Sequence, residues 1–166
     1  WAEAAAIVVR MVNASFRRDL TLKASLTPQE IYNRCSPAVF YIELYDIMDN
    51  KIKTGSGFFI DGRGIAVTNY HVIRGAARAV IKTSDGREYE VSGVYDFDSL
   101  ADLALIQVDG SDFAWLELGD SDSVVTGMDA YAIGSPLGFT NTFSQGIISS
   151  ASRIISGVSC IQTTAA

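Results

Sequence analysis

His71 is the only histidine in this 166-residue chain, and its setting asks for a chemical explanation. It lies in Val67-Thr68-Asn69-Tyr70-His71-Val72-Ile73, directly after a strand-like run and before a turn. A strand end followed by a short turn is a rigid platform with an exposed tip, where a general base has to sit. A base that takes a proton during acyl transfer needs a carboxylate to fix its tautomer and to stabilise the imidazolium that forms. Asp96, Asp98 and Asp102 are the candidates, within Tyr95-Asp96-Phe97-Asp98-Ser99-Leu100-Ala101-Asp102. Asp102 stands apart because it leads straight into the apolar run Leu103-Ala104-Leu105-Ile106. Aspartate disfavours strands, and its charge is costly to bury unpaired. Such a residue asks for a donor, and the His71 imidazole N–H can supply one. The alternative is an aspartate that merely caps a turn.

Other reactive side chains carry less. Cys35 and Cys160 form neither a CxxC nor a CxxH spacing, and with one histidine there is no ligand set for zinc, so they read as separate thiols. Ser135, in Gly134-Ser135-Pro136, is followed by a residue that lacks the backbone donor an oxyanion site could use, which makes it a poor candidate nucleophile. Ser56, in Gly55-Ser56-Gly57, reads as a packing residue near the histidine. Asp120-Ser121-Asp122-Ser123 lacks the glycine and terminal glutamate of a calcium loop and reads as connector turn chemistry.

The elements that must hold these groups have a period of two. Ala38–Ile47, Lys51–Ile60, Ile65–Thr68, Ala79–Thr83, Glu88–Tyr95 and Leu103–Val108 are β-branched or aromatic, with turn residues between them at Asp49-Asn50, Asp61–Gly64 and Ser84–Gly86. Six short strands at this spacing predict an all-β antiparallel barrel or sandwich. A turn-rich connector over 109–127 leads to further strands at Met128–Ile133, Thr142–Ser150 and Val158–Thr163. Residues 1–34 lack the alternation and predict one or two flanking helices. One starts at Thr27 as N-cap, with Pro28 in the first turn and Glu30 at the capping-box position.

Composition narrows the function. A chain that is 48% hydrophobic with 19% charged residues can bury a core. Its net charge is −6, with no basic cluster beyond Arg17-Arg18, which argues against a nucleic-acid partner and against attraction to anionic lipid. The apolar run Ala4–Val9 is far short of the roughly 20 residues a bilayer span needs. Trp1 in place of an initiator methionine suggests a trimmed chain.

Taken in order, the motifs resemble a known family. Gly55–Ile60 with Thr68–Ile73 is similar to the histidine motif of HtrA (Deg) serine proteases, and Asp102–Ile106 to their aspartate motif. Leu118–Ser121, Ala132–Gly138, Gln145–Ser149 and Ile161–Thr163 match further landmarks, so the resemblance covers about residues 35–166. It implies a chymotrypsin-like double β-barrel with an N-terminal helical segment: residues 1–34 helical, 35–120 the first barrel with histidine and aspartate, and 121–166 the start of an incomplete second barrel. His71 is then the general base and Asp102 its orienting partner, acting through an acyl-enzyme without metal or cofactor. The nucleophile motif, Gly-Asn-Ser-Gly-Gly in relatives, follows a Gln-Thr-Asp-Ala-Ala stretch. That stretch reads Gln162-Thr163-Thr164-Ala165-Ala166 here, so the chain stops before the nucleophilic serine and is expected to be inactive as it stands. The resemblance further implies polypeptide substrates, assembly as a homotrimer, a PDZ domain downstream and an extracytoplasmic location. The competing reading is a pseudoprotease that keeps the fold as a peptide- or protein-binding module.

Overall fold

The computed structural model describes residues 26–134 and 142–165. A single helix, α1 (Pro28–Cys35), opens the described chain. Thr27 Oγ1 accepts from the Glu30 backbone N–H at 3.3 Å while the Glu30 carboxylate accepts from the Thr27 N–H at 2.8 Å, so two otherwise orphaned donors are satisfied reciprocally. The expected helical reading of residues 1–25 lies outside the described residues.

Six strands then close on themselves: β1 (Val39–Tyr45), β2 (Lys51–Phe59), β3 (Ile65–Thr68), β4 (Arg78–Thr83), β5 (Glu88–Asp98) and β6 (Leu103–Val108). Their order around the barrel is β1-β2-β3-β6-β5-β4, all neighbours antiparallel, so no edge is left unpaired. The alternation seen in the sequence decides what points inward: Phe40, Ile42 and Leu44 from β1, Ala79 and Ile81 from β4, Ala104, Ile106 and Val108 from β6. Phe59 sits among them, stacked on Phe113 at 4.2 Å between ring centroids and tilted against Phe40 at 5.0 Å. Gly57 makes room for this packing, because a Cβ there would lie 2.5 Å from the Phe40 ring and 2.7 Å from the Val67 carbonyl.

A second sheet follows, with β7 (Asp129–Gly134), β8 (Thr142–Ile155) and β9 (Val158–Thr163) in sequence order. Helix α1 joins the two parts: Ile31 and Cys35 pack with Val39 of β1 and with Tyr131 and Ile133 of β7. Phe143 of β8 completes this seam, stacked on Tyr131 and edge-on to Tyr32, each at 5.5 Å.

Two strands outrun their sequence signal. β5 continues past Tyr95 to Asp98, and β8 past Ser150 to Ile155. Both carry register shifts, at Val91/Gly93 and Val94/Asp96 in β5 and at Ile148/Ser150 and Ser150/Arg153 in β8. An extra residue at a bulge flips the inward–outward alternation, so the pattern breaks while the hydrogen-bonded ladder goes on.

The barrel core predicts a test. Phe59→Ala removes a ring that two other rings pack against, and should cost about 3–5 kcal/mol of stability. Urea unfolding should show a lower midpoint at unchanged slope; a loss within about 0.5 kcal/mol would contradict the central position of this ring.

Candidate active site

The register between β3 and β6 sets the site. Thr68 pairs with Ala104, so the residues after the end of β3 and those before the start of β6 emerge together at one end of the barrel. His71 stands three positions beyond Thr68, on α2 (Tyr70–Ile73), a single helical turn. The sequence reading placed it at a strand end before a turn; a one-turn helix intervenes and is seated by Val72, which is 2% exposed. Gly55 of β2 permits that seat, since a Cβ there would come within 2.8 and 2.9 Å of the Val72 methyl groups.

Asp102 stands immediately before β6 with φ +56°. Aspartate is among the few non-glycine residues that tolerate this left-handed region. Both of its acceptor groups meet α2. The main-chain carbonyl accepts from the Tyr70 N–H at 3.2 Å and from Asn69 Nδ2 at 3.0 Å. The carboxylate accepts from the His71 backbone N–H at 2.8 Å through Oδ1, and Oδ2 lies 2.6 Å from His71 Nδ1. Asn69 Nδ2 adds a third donor to the carboxylate at 3.3 Å.

These contacts favour the ionised form of Asp102. Burial lifts the Asp102 carboxyl, but the hydrogen bonds from the His71 backbone and imidazole, the attraction of the ring and the Asn69 amide outweigh it and hold the group below the usual carboxylate value. An ionised carboxylate can only accept, so Nδ1 carries the shared proton, and in the neutral ring the lone pair lies on Nε2. The His71 side chain is 51% exposed and Asp102 39%. Nε2 has no partner among the described residues, which leaves it open to a reacting hydroxyl.

The other candidates go elsewhere. Asp98 Oδ1 caps the turn before Asp102, accepting from the Leu100 and Ala101 N–H groups at 2.8 and 2.9 Å. Asp96 Oδ1 accepts from the adjacent Phe97 N–H. Ser56 is buried on β2, and its carbonyl accepts from Thr68 Oγ1 at 2.8 Å. Ser135 lies outside the described residues. Asp120 caps a short 3-10 turn over Ser121–Ser123 by accepting from the Asp122 N–H at 3.0 Å. No disulfide joins Cys35 and Cys160. Among the described residues no group of three or more His, Cys, Asp or Glu side chains is arranged to hold a metal ion.

Sequence reasoning gave no role to several residues that shape the site. Asn69 shares the Asp102 acceptors with the histidine, and an amide two residues before a candidate base was the available signal. Tyr70 stacks on Phe97 of β5 at 4.7 Å, covering one flank of α2. At the far end of β9, Thr164 occupies the position where the resembling family has aspartate. Its Oγ1 accepts from the Ile147 N–H at 3.0 Å, and its own N–H returns to the Ile147 carbonyl at 3.0 Å. Threonine thus keeps the acceptor an aspartate could offer without its charge. A side chain at Gly146 would collide with the Thr164–Ala165 backbone that this pairing draws in.

Comparison with known proteins gives a consistent picture. Residues 55–166 match the model of the trypsin-like peptidase domain. The chain is 41% identical over 99 residues to a probable periplasmic serine endoprotease DegP-like of Marinomonas sp., covering 60% of this chain and 21% of that protein. It is 35% identical over 130 residues to serine protease HTRA1 of Xenopus laevis, covering 75% of this chain and 28% of that protein. Two structures of the HtrA-type protease AlgW with tripeptide, each 30% identical, superpose with TM-scores of 0.76 and 0.68. They cover 84% and 75% of this chain and 46% and 40% of theirs. The chain therefore spans less than half the length of any of these relatives.

The held-down carboxyl of Asp102 has a pH signature with a definite sign. A carboxyl lower in the folded than in the unfolded chain contributes its stability fully above its ordinary value, and loses it as pH falls through the folded value. Asp102→Asn removes this contribution. The stability difference between wild type and variant should be largest near neutral pH and shrink as pH falls below about 4, read by urea unfolding across pH. A constant difference would mean that the carboxylate is not held by these donors.

Proposed function

The chain belongs to the trypsin-like peptidase family, of HtrA type, and from that premise we propose that, together with a serine motif like the one that follows in relatives, it hydrolyses peptide bonds with His71 as general base and Asp102 as its orienting carboxylate. The observation that carries this reading is the 2.6 Å contact between Asp102 Oδ2 and His71 Nδ1, with Nε2 unengaged on the half-exposed face of the ring. The nucleophile is the serine of the family motif, which in relatives follows the stretch corresponding to Gln162–Ala166. The serine hydroxyl proton passes to Nε2 as Oγ bonds to the substrate carbonyl carbon. The imidazolium, steadied by Asp102, then gives that proton to the leaving amine as the C–N bond breaks. Water repeats the sequence on the acyl-enzyme and restores the serine.

The remaining assignments rest on the same premise. Residues 35–120 are read as the first barrel and 121–166 as the start of the second, with the substrate cleft between them and residues 1–34 as a helical segment outside both. Unfolded or damaged polypeptides, bound as extended strands, are the proposed substrates; the tripeptides of the AlgW structures are in keeping with a peptidic ligand. A homotrimer, a PDZ domain on the same gene product and an extracytoplasmic location complete the proposal. The last is supported by the periplasmic DegP-like relatives.

The test uses the complete gene product, with casein and a fluorophosphonate probe. Wild type should cleave and label; His71→Ala should lower turnover by about 10⁶ and abolish labelling. Asp102→Asn, which reverses the tautomer, should cost about 10⁴ in kcat. Labelling that persists in His71→Ala would refute the histidine as base, and a wild type that binds peptide but never labels would favour the pseudoprotease.

A further inference from the structure

The helical turn that carries His71 is too short to hold itself. The turn spans four residues, closed by the Arg74 N–H donating to the Tyr70 carbonyl at 3.0 Å, and an isolated turn of this length has no intrinsic stability in water. At Arg74 the backbone leaves the helix with ψ 122°, so no later amide comes back to the His71 carbonyl. That carbonyl is met from another strand. Lys53 of β2 donates through Nζ to the His71 carbonyl at 2.9 Å and to the Arg74 carbonyl at 3.1 Å.

His71 is therefore gripped through both of its main-chain polar groups by charged side chains. Its N–H donates to the Asp102 carboxylate on one side, and its C=O accepts from the Lys53 ammonium on the other. A cation at the carboxyl end of a helix also faces the negative end of the peptide dipoles. Below the turn, Val72 is packed into the space left by Gly55, two residues along the same strand as Lys53. β2 thus supplies both the seat and the clamp, while the residue just before β6 supplies the carboxylate.

We propose that Lys53 is a positioning residue for the His71 base: by bridging the His71 and Arg74 carbonyls it sets the pitch of α2, and with it the imidazole's approach to Asp102. The inference rests on the proposed function. Lys53 has no part in proton transfer. Methionine at this position keeps the apolar stem but has no donor, whereas arginine keeps donors that can span two carbonyls.

Two measurements test it. In the chain itself, the one histidine should give a single imidazole Nδ1 proton signal by NMR. Lys53→Met should broaden it or raise its exchange with water severalfold; Lys53→Arg should keep it near wild type. Lys53→Gln, which keeps a neutral donor, is measured beside them and should fall between, so that a Lys53→Met chain that fails to fold leaves a variant to read. In the complete gene product, Lys53→Met should lower kcat by on the order of tenfold to a hundredfold with KM nearly unchanged, as expected when a base is misplaced by a fraction of an ångström to about 1 Å, and Lys53→Arg should recover most of it. A wild-type Nδ1 signal and wild-type kcat in folded Lys53→Met or Lys53→Gln would overturn the proposal. A wild-type enzyme that fails to label with fluorophosphonate would instead sink the protease reading and leave the NMR result standing.

Discussion

The site depends on one residue, Asp102, that offers two kinds of acceptor to a single helical turn. Its carbonyl takes the Tyr70 N–H and the Asn69 amide; its carboxylate takes the His71 N–H and the imidazole. The left-handed backbone at this position, at φ +56°, accompanies that double engagement. Such a conformation disfavours most residues, by roughly 1–3 kcal/mol where nothing compensates. Here it is offset by charge-assisted hydrogen bonds, each stronger than a neutral one. The consequence is a histidine whose main chain and ring are held by the same carboxylate, so that ring orientation and tautomer are fixed together.

The barrel makes this contact inevitable once it closes. Antiparallel pairing of β3 with β6 places the end of one beside the start of the other, and the Thr68–Ala104 register leaves only short extensions to His71 and Asp102. Closure in the order β1-β2-β3-β6-β5-β4 also brings β2 alongside α2, which is how Gly55 and Lys53 come to seat and clamp the turn. The aromatic core of Phe40, Phe59 and Phe113 fills the interior and resists deformation of the platform. A site built on strands of a packed barrel is more rigid than one on free loops, and a base needs that precision.

The second sheet is tied to the barrel through helix α1, whose Ile31 and Cys35 bridge Val39 and the β7 residues Tyr131 and Ile133. On its far side, the Thr164–Ile147 exchange and the absence of a side chain at Gly146 draw the end of β9 against β8. Threonine in place of the family's aspartate preserves an acceptor for the Ile147 amide.

Much of this was legible in the sequence. Alternation and short apolar runs located the nine strands of the described residues, because burial on one face of a sheet imposes a period of two. Thr27-Pro28-Gln29-Glu30 marked the helix start, because capping is local chemistry. The sequence also singled out His71, as the sole imidazole, and Asp102, as a charge leading into an apolar strand. It did not show that the two touch, since 31 positions separate them and only barrel closure and register bring them to 2.6 Å. Nor did it reveal the α2 turn, which has no propensity signal of its own and exists because Asp102 and Lys53 hold its two ends. The parts of β5 and β8 beyond their bulges were hidden for the same kind of reason: ladder hydrogen bonds between strands persist where side-chain alternation fails. Local patterns and residue chemistry determined the elements and nominated the reactive groups; the pairing of distant strands decided which groups meet, and so which of three aspartates touches the histidine.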